Sequence, residues 1–181
     1  FQTLSEILLS IEVTDVHGTA ISLDVGAEQT VQMMLETKSN SQKVLLAGNG
    51  GSSAIVSHVQ NDLCKATGVR AMVFTEQPLL TALANDEGYG SIFEWPLHMW
   101  AEPGDLFLTV SSSGQSENIV RGLKAAREKG CRIITMSGFD SNNASRSLGD
   151  INFYVPSGVY AYVETAHTAL AHYLTTKAAG L

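Results

Sequence analysis

Cysteine is nearly absent from this chain, and so is any pattern that would give it a structural role. Cys64 and Cys131 form no CxxC pair and no metal-ligand spacing, which argues against a disulfide framework or a cysteine-held zinc and suits a reducing compartment. Long apolar runs are missing too: nothing approaches the roughly 18 residues of a membrane span. Positive charge is scarce, with 11 Lys and Arg against 18 Asp and Glu and a net charge of −7. That balance, without a basic run or a C2H2 pattern, argues against a nucleic-acid or membrane-surface partner. The opening FQTLSEILLS lacks the basic start and small-residue cleavage site of a signal peptide, so a cytoplasmic location is the expectation. Internal repeats, low-complexity segments and linkers are also absent, and 181 residues suffice for one domain, 1–181, with a core of its own.

What is present is a regular alternation. Short β-rich runs occur at VLLAG (44–48), RAMVF (70–74), LFLTV (106–110), RIITM (132–136) and INFYV (151–155). Helical patterns lie between them, clearest in SENIVRGLKAAREKG (116–130) and VETAHTALAHYLTTKAAG (163–180). Runs that are apolar throughout, rather than alternating, suit a parallel sheet covered on both faces. The expectation is therefore an α/β, doubly wound, five-stranded parallel sheet flanked by helices. Residues 1–40 carry helical spacing at Leu4, Ile7, Leu8 and Ile11, and again from Val25 to Leu35. They are expected to form N-terminal helices that pack on the core or on a partner subunit.

Ligands of such sheets bind beyond the carboxyl ends of the strands, which directs attention to the loops Gly48–Ser53, Thr75–Gly90, Ser111–Ser116 and Ser137–Ser145. In LLAGNGGSSAIVSHVQNDL (45–63) an apolar run stops at a glycine-rich loop that leads into a helix. Strand, glycine loop, helix is a phosphate-binding arrangement, because backbone N–H groups at a helix start face an anion. Gly48, Gly50 and Ser53 fit a dinucleotide motif only if Ser53 replaces its third glycine, with Glu76 as the ribose acceptor; a nucleotide P-loop is excluded because GxxxxGK[ST] does not occur. The second loop, SSSGQSEN, favours a phosphate ester instead. Ser111, Ser112, Ser113 and Ser116 around Gly114 offer four hydroxyls at a helix start, where a cap alone needs one. In the helix after the glycine loop, His58 and Asp62 stand at i and i+4, on one face. They suit an acid–base pair, two metal ligands, or a solvated surface pair.

GNGGS after one strand and SSSGQS after a later one resemble the sugar isomerase (SIS) domain. More narrowly, the chain is similar to the phosphoheptose isomerases, which act on sedoheptulose 7-phosphate. The similarity runs from about Lys43 to Leu174. It includes His58 and Asp62, AND-GYG around Asp86, GD before an apolar strand, AAREKG (125–130), and Glu164 and His172 in the last helix. The resemblance implies the SIS fold and a single active site lined by four residues, usually His, Glu, Gln and His, which bind zinc in some members. Here they are His58, Asp62, Glu164 and His172. Two histidines and two carboxylates suit a divalent ion, expected to be Zn²⁺, and no organic cofactor is needed. Spacing alone does not choose His172, because eight residues leave it about 80° around and 12 Å along the helix from Glu164. His167 lies nearer and is read as a helix-face or subunit-contact histidine, and His98 as a packing or surface one.

The chemistry implied is aldose–ketose isomerisation of sedoheptulose 7-phosphate to glycero-manno-heptose 7-phosphate through an enediol. Asp62 matches the family's base and His172 its acid. Asn49, Gly50, Gly51 and Ser52 are expected on the sugar or its phosphate, with Ser111, Ser112, Ser113 and Ser116 on the phosphate. Asp86 is expected to accept from hydroxyls, or to serve only as a turn residue, and Glu164 to line the same site. The family also implies a homotetramer with sites near subunit contacts. Two departures bear on the substrate: Asp62 is one methylene shorter than the usual Glu, and Ala161 stands where a polar residue is common. The rival reading is a non-catalytic SIS module that binds a sugar phosphate or a protein partner.

Overall fold

The computed structural model describes residues 1–181. The five expected strands are all present: β3 (Val44–Gly48), β4 (Ala71–Val73), β5 (Leu106–Ser111), β6 (Arg132–Ser137) and β7 (Ile151–Tyr154). They pair in parallel in the order β7-β6-β5-β3-β4. Consecutive side chains of a strand face opposite sides, so the apolar runs supply two cores at once. Leu46, Leu108 and Ile134 meet α2 (Leu23–Ser39), α3 (Gly51–Asp62) and α7 (Tyr160–Ala178), which contribute Met34, Val56 and Leu174. Leu45, Phe107 and Ile133 meet α5 (Glu94–Trp100) and α6 (Glu117–Glu128) through Phe93, Leu97, Ile119 and Leu123, with Leu83 of α4 (Gln77–Asp86) beside them. That is a doubly wound sheet. No helix is long and apolar enough to cross a membrane.

Two expectations need correction. The sheet has seven strands, not five, because 1–40 is not purely helical: β1 (Glu12–Asp15) and β2 (Ala20–Ile21) lie between α1 (Gln2–Leu9) and α2. β1 pairs antiparallel with β7, Val13 opposite Phe153, and so covers what would be an open sheet edge. Its hairpin turns on Asp15, whose carboxylate accepts the N–H groups of His17 and Thr19 at 2.9 and 2.8 Å. A four-residue strand is too short for its period to stand out from flanking helices. From the N-terminal segment, α2 contributes Ala27, Val31 and Met34 to the core, and Ile7 and Leu8 of α1 lie beside Val155 and Val163.

The second correction concerns 75–90, expected as a loop but mostly occupied by α4. Glu76 caps that helix, its carboxylate accepting the Leu79 N–H at 2.9 Å, and Pro78 follows in the first turn. Glu76 is thus engaged as a cap and lies on an apolar groove with Leu79, Leu80 and Trp100, which removes the ribose acceptor of the dinucleotide alternative.

Candidate active site

Two loops meet beyond the carboxyl ends of β3 and β5. At the first, Gly50 turns the chain into α3 with φ +54°, a left-handed conformation that favours glycine, and no side chain caps the helix. The Ser52 and Ser53 N–H groups turn back to the Asn49 carbonyl at 3.0 and 3.4 Å, which leaves those of Gly50 and Gly51 at the helix start, where an anion is favoured. At the second, Ser111 Oγ accepts the Gly114 N–H at 3.2 Å and Ser113 Oγ that of Gln115 at 3.3 Å, which shapes the loop. The other two hydroxyls are uncommitted. Ser116 occupies the N-cap of α6 but makes no side-chain cap bond, and Ser112 Oγ is buried without a partner. Capping therefore does not account for this serine cluster.

Together the loops enclose a cavity of about 90 Å³ lined by Asn49, Ser52, Ser111, Ser112, Ser113, Ser116, Tyr160 and Glu164. No lysine or arginine lines it, so an anion among the serines meets neutral hydroxyls and the start of α6, with the Glu164 carboxylate on the opposite side against Gly51. Asn49 is held by a reciprocal amide pair with the buried Asn118, at 3.0 and 2.8 Å, and its oxygen also accepts the Tyr89 hydroxyl at 3.2 Å.

A second centre lies where α3 and α7 face each other. Asp62 Oδ2 is 3.3 Å from His58 Nε2 and 3.8 Å from His172 Nδ1, and accepts the Thr175 hydroxyl at 3.0 Å. The two imidazoles meet edge to face, centroids 4.7 Å apart. Ligand-capable atoms of these three residues lie within 4.8 Å of one another. Both histidine side chains are 53% exposed and Asp62 23%, so the cluster opens to solvent.

Glu164 does not join that cluster. A Cβ at Gly51 would come within 2.6 Å of its carboxylate, so the acid rests against the first turn of α3, where the helix dipole favours negative charge. It thereby lines the serine cavity and also a wider groove of about 530 Å³ that runs past Thr165, Thr168 and His172 along α7. Eight helical residues from Glu164 to His172 span about 12 Å. Glu164 thus borders both the serine cavity and the groove that reaches His172 of the cluster.

Asp86 is elsewhere. It ends α4, exposed, beside the Asn85 amide at 2.7 Å, and does not line the cavity. Sequence reasoning does not find Tyr160, Asn118 or Thr175. Thr175 could be sought at i+3 from His172; the others depend on contacts across the fold.

His167 lies on the inward face of α7: it is fully buried, and its Nε2 lies 3.1 Å from the Ser137 carbonyl oxygen. A carbonyl only accepts, so Nε2 carries the proton. Burial holds the imidazole pKa down at about 4. The unfolded chain therefore binds a proton at this residue between pH 6.5 and 4 that the folded chain does not. Stability from this group is complete above pH 6.5 and is lost as pH falls toward 4, by up to about 3 kcal/mol. Thermal melts of the wild type and His167→Gln from pH 7.5 to 4.5 test this. The wild-type melting temperature is expected to fall more steeply, and parallel curves would refute the assignment.

The SIS domain family matches residues 22–138. The phosphoheptose isomerase of Aliarcobacter butzleri is 34% identical over 151 residues, covering 80% of this chain and 79% of that protein. That of Shewanella denitrificans is 30% identical over 163 residues, covering 86% and 83%. Among solved structures, a phosphoheptose isomerase from Neisseria gonorrhoeae has a TM-score of 0.81 at 26% identity, over 99% of this chain and 91% of that one. One from Francisella tularensis reaches 0.86 at 24% identity, over 100% and 95%, a likeness of fold.

Proposed function

The chain belongs to the SIS-domain family and, within it, to the phosphoheptose isomerases, and on that premise we propose that it interconverts sedoheptulose 7-phosphate and glycero-manno-heptose 7-phosphate through an enediol. The observation that carries this reading is that Glu164 borders both the serine-lined cavity and the groove reaching His172, which clusters with His58 and Asp62.

In this reading the phosphate lies among Ser111, Ser112, Ser113 and Ser116, and the Gly50–Ser52 turn, with Glu164 resting on Gly51, faces the sugar. Ser112 and Ser116 donate the hydroxyls left uncommitted by the loop. Fixing the phosphate places carbons 1 and 2 at the far end, a gain in proximity rather than in chemistry. Asn49, oriented by Asn118, and Glu164 meet hydroxyls along the way. Asp62 removes the C1 proton from the ketose and returns it at C2; His172 serves the carbonyl and hydroxyl oxygens. Thr175 holds Asp62 Oδ2 toward the two imidazoles.

The donor set His58, Asp62 and His172 fits a divalent ion, zinc by ligand type, and these three residues would hold it. Bound there, zinc supplies Lewis-acid polarisation of the substrate carbonyl. Glu164, resting on Gly51, is assigned to substrate rather than to the ion. Zinc titration against a chromophoric chelator separates these roles. His172→Ala is expected to weaken zinc at least tenfold, in keeping with loss of one of three ligands, whereas Glu164→Gln leaves it within about threefold. Equal losses would restore Glu164 to the ligand set.

The family's cytoplasmic, homotetrameric habit is carried into this proposal. The test of function is NMR of the protein with sedoheptulose 7-phosphate in D2O. Deuterium at C1 or C2 with aldose signals is expected; no exchange with zinc supplied would overturn the heptose assignment.

A further inference from the structure

His167 has no part in the chemistry above, yet it is a fully buried, polar side chain with one ring nitrogen, Nδ1, left without a partner. Such a group has a desolvation cost that an apolar residue would avoid, so the bond made by its other nitrogen calls for an account. That bond reaches Ser137, the last residue of β6, which stands opposite Ser111 of the serine loop in the parallel register. The Ser137 carbonyl already accepts the Val155 N–H at 2.8 Å, so the imidazole is not needed merely to satisfy it.

From Ser137 the contacts continue toward the phosphate cavity. The Ser137 hydroxyl accepts the Asn143 amide N–H at 3.1 Å. Asn143 caps the short helical turn Ala144–Ser147, its side-chain oxygen accepting the Arg146 N–H at 3.1 Å. From that turn Ser145 donates twice to the Gly114 carbonyl, through its N–H at 3.0 Å and its hydroxyl at 2.9 Å. Ser137, Asn143, Ser145 and His167 are all at most 1% exposed. Space is equally tight: a Cβ on Gly138 would come within 2.7 Å of Val163 on α7 and 3.2 Å of the Ser112 carbonyl. The end of β6 is thus wedged between the serine loop and α7.

We propose that His167 is a positioning residue that locks the phosphate-holding serine loop to α7, the helix that carries Glu164 and His172, through Ser137, Asn143 and Ser145. The lock sets the separation between the two ends of the substrate path. This rests on the phosphosugar reading for its kinetic consequences, but not for its binding consequence. Loss of the lock loosens the anion cavity and leaves the His58–Asp62–His172 cluster unchanged.

The experiment compares His167→Leu, His167→Gln and Ser137→Ala with the wild type. Inorganic phosphate affinity is measured by calorimetry, zinc affinity by chelator competition, and KM and kcat with sedoheptulose 7-phosphate. His167→Leu is expected to weaken phosphate and raise KM about tenfold, the equivalent of one hydrogen bond, with zinc affinity within twofold. His167→Gln, whose amide can donate to the same carbonyl, is expected to recover most of the loss. Ser137→Ala interrupts the chain one link further on with minimal change in volume, and is expected to reproduce the loss even where His167→Leu fails to fold. Unchanged phosphate affinity in Ser137→Ala, or in a folded His167→Leu, would overturn the inference. So would a wild type that binds no phosphate. A wild type that binds phosphate without turning over the heptose would overturn the substrate reading alone, and the phosphate arm would still decide on the lock.

Discussion

Asp62→Asn is expected to lower kcat by about 10³-fold with KM changed less than about threefold, the scale of loss for a positioned general base. The exchange keeps the size of the side chain and an oxygen able to accept the Thr175 hydroxyl, now 3.0 Å from Asp62 Oδ2. What it removes is the proton acceptor beside both imidazoles. The phosphate end of the path, on another loop, is untouched, which is why the effect falls on kcat. The measurement is deuterium wash-in from D2O with zinc in excess, so that weaker metal binding does not masquerade as loss of the base. Retention of more than a tenth of the wild-type rate would place the base elsewhere.

Gly114→Ala has the second large effect, on fold and site together. Gly114 has φ +62°, and a Cβ there would overlap the Asn143 side-chain amide. A side chain in that backbone conformation costs about 1 kcal/mol. Displacing Asn143 then breaks its bonds to the Ser137 hydroxyl and the Asp140 carbonyl, at 3.1 and 2.8 Å. A fall in melting temperature of about 5–10 °C is expected for a chain of this size. Phosphate binding should weaken more than tenfold, because Gly114 shapes the loop that carries the uncommitted hydroxyls. Gly158→Ala is the control. Nothing lies within 4 Å of its added Cβ and its φ is not positive, so a change under about 1 kcal/mol is expected. Equal effects at the two positions would remove the special role of Gly114.

Those parts of the molecule that depend on neighbours in the chain are legible in the amino-acid sequence. Four of the five parallel strands announce themselves by apolar runs buried on both faces, which only a covered sheet tolerates, while β4 at the edge is half-buried. His58 and Asp62 are legible as a pair because one helical turn brings i and i+4 together whatever surrounds them. The serine loop is legible through its excess of hydroxyls over what a cap uses. The weaker readings are those where local pattern and tertiary demand differ. IEVTD sits between two amphipathic helices and becomes a strand because β7 would otherwise leave an open edge. Thr75–Gly90 is expected as a loop because it follows a strand end, yet Glu76 and Pro78 begin a helix there, and Asp86 ends it away from the cavity.

The sequence by itself determined the alternation of strand and helix, the glycine and serine loops and the His58–Asp62 pair, since each follows from periodicity or from chemistry within one turn, whereas His172 comes from the family resemblance. Only the tertiary structure decided which helix face meets which loop. Packing α7 against α3 brings His172 to Asp62, eight residues along from where Glu164 meets Gly51, and it buries His167 against the end of β6. Those separations are set by how two helices and a strand end pack across the fold, and no residue spacing along the chain encodes a distance between elements that meet only when the core closes.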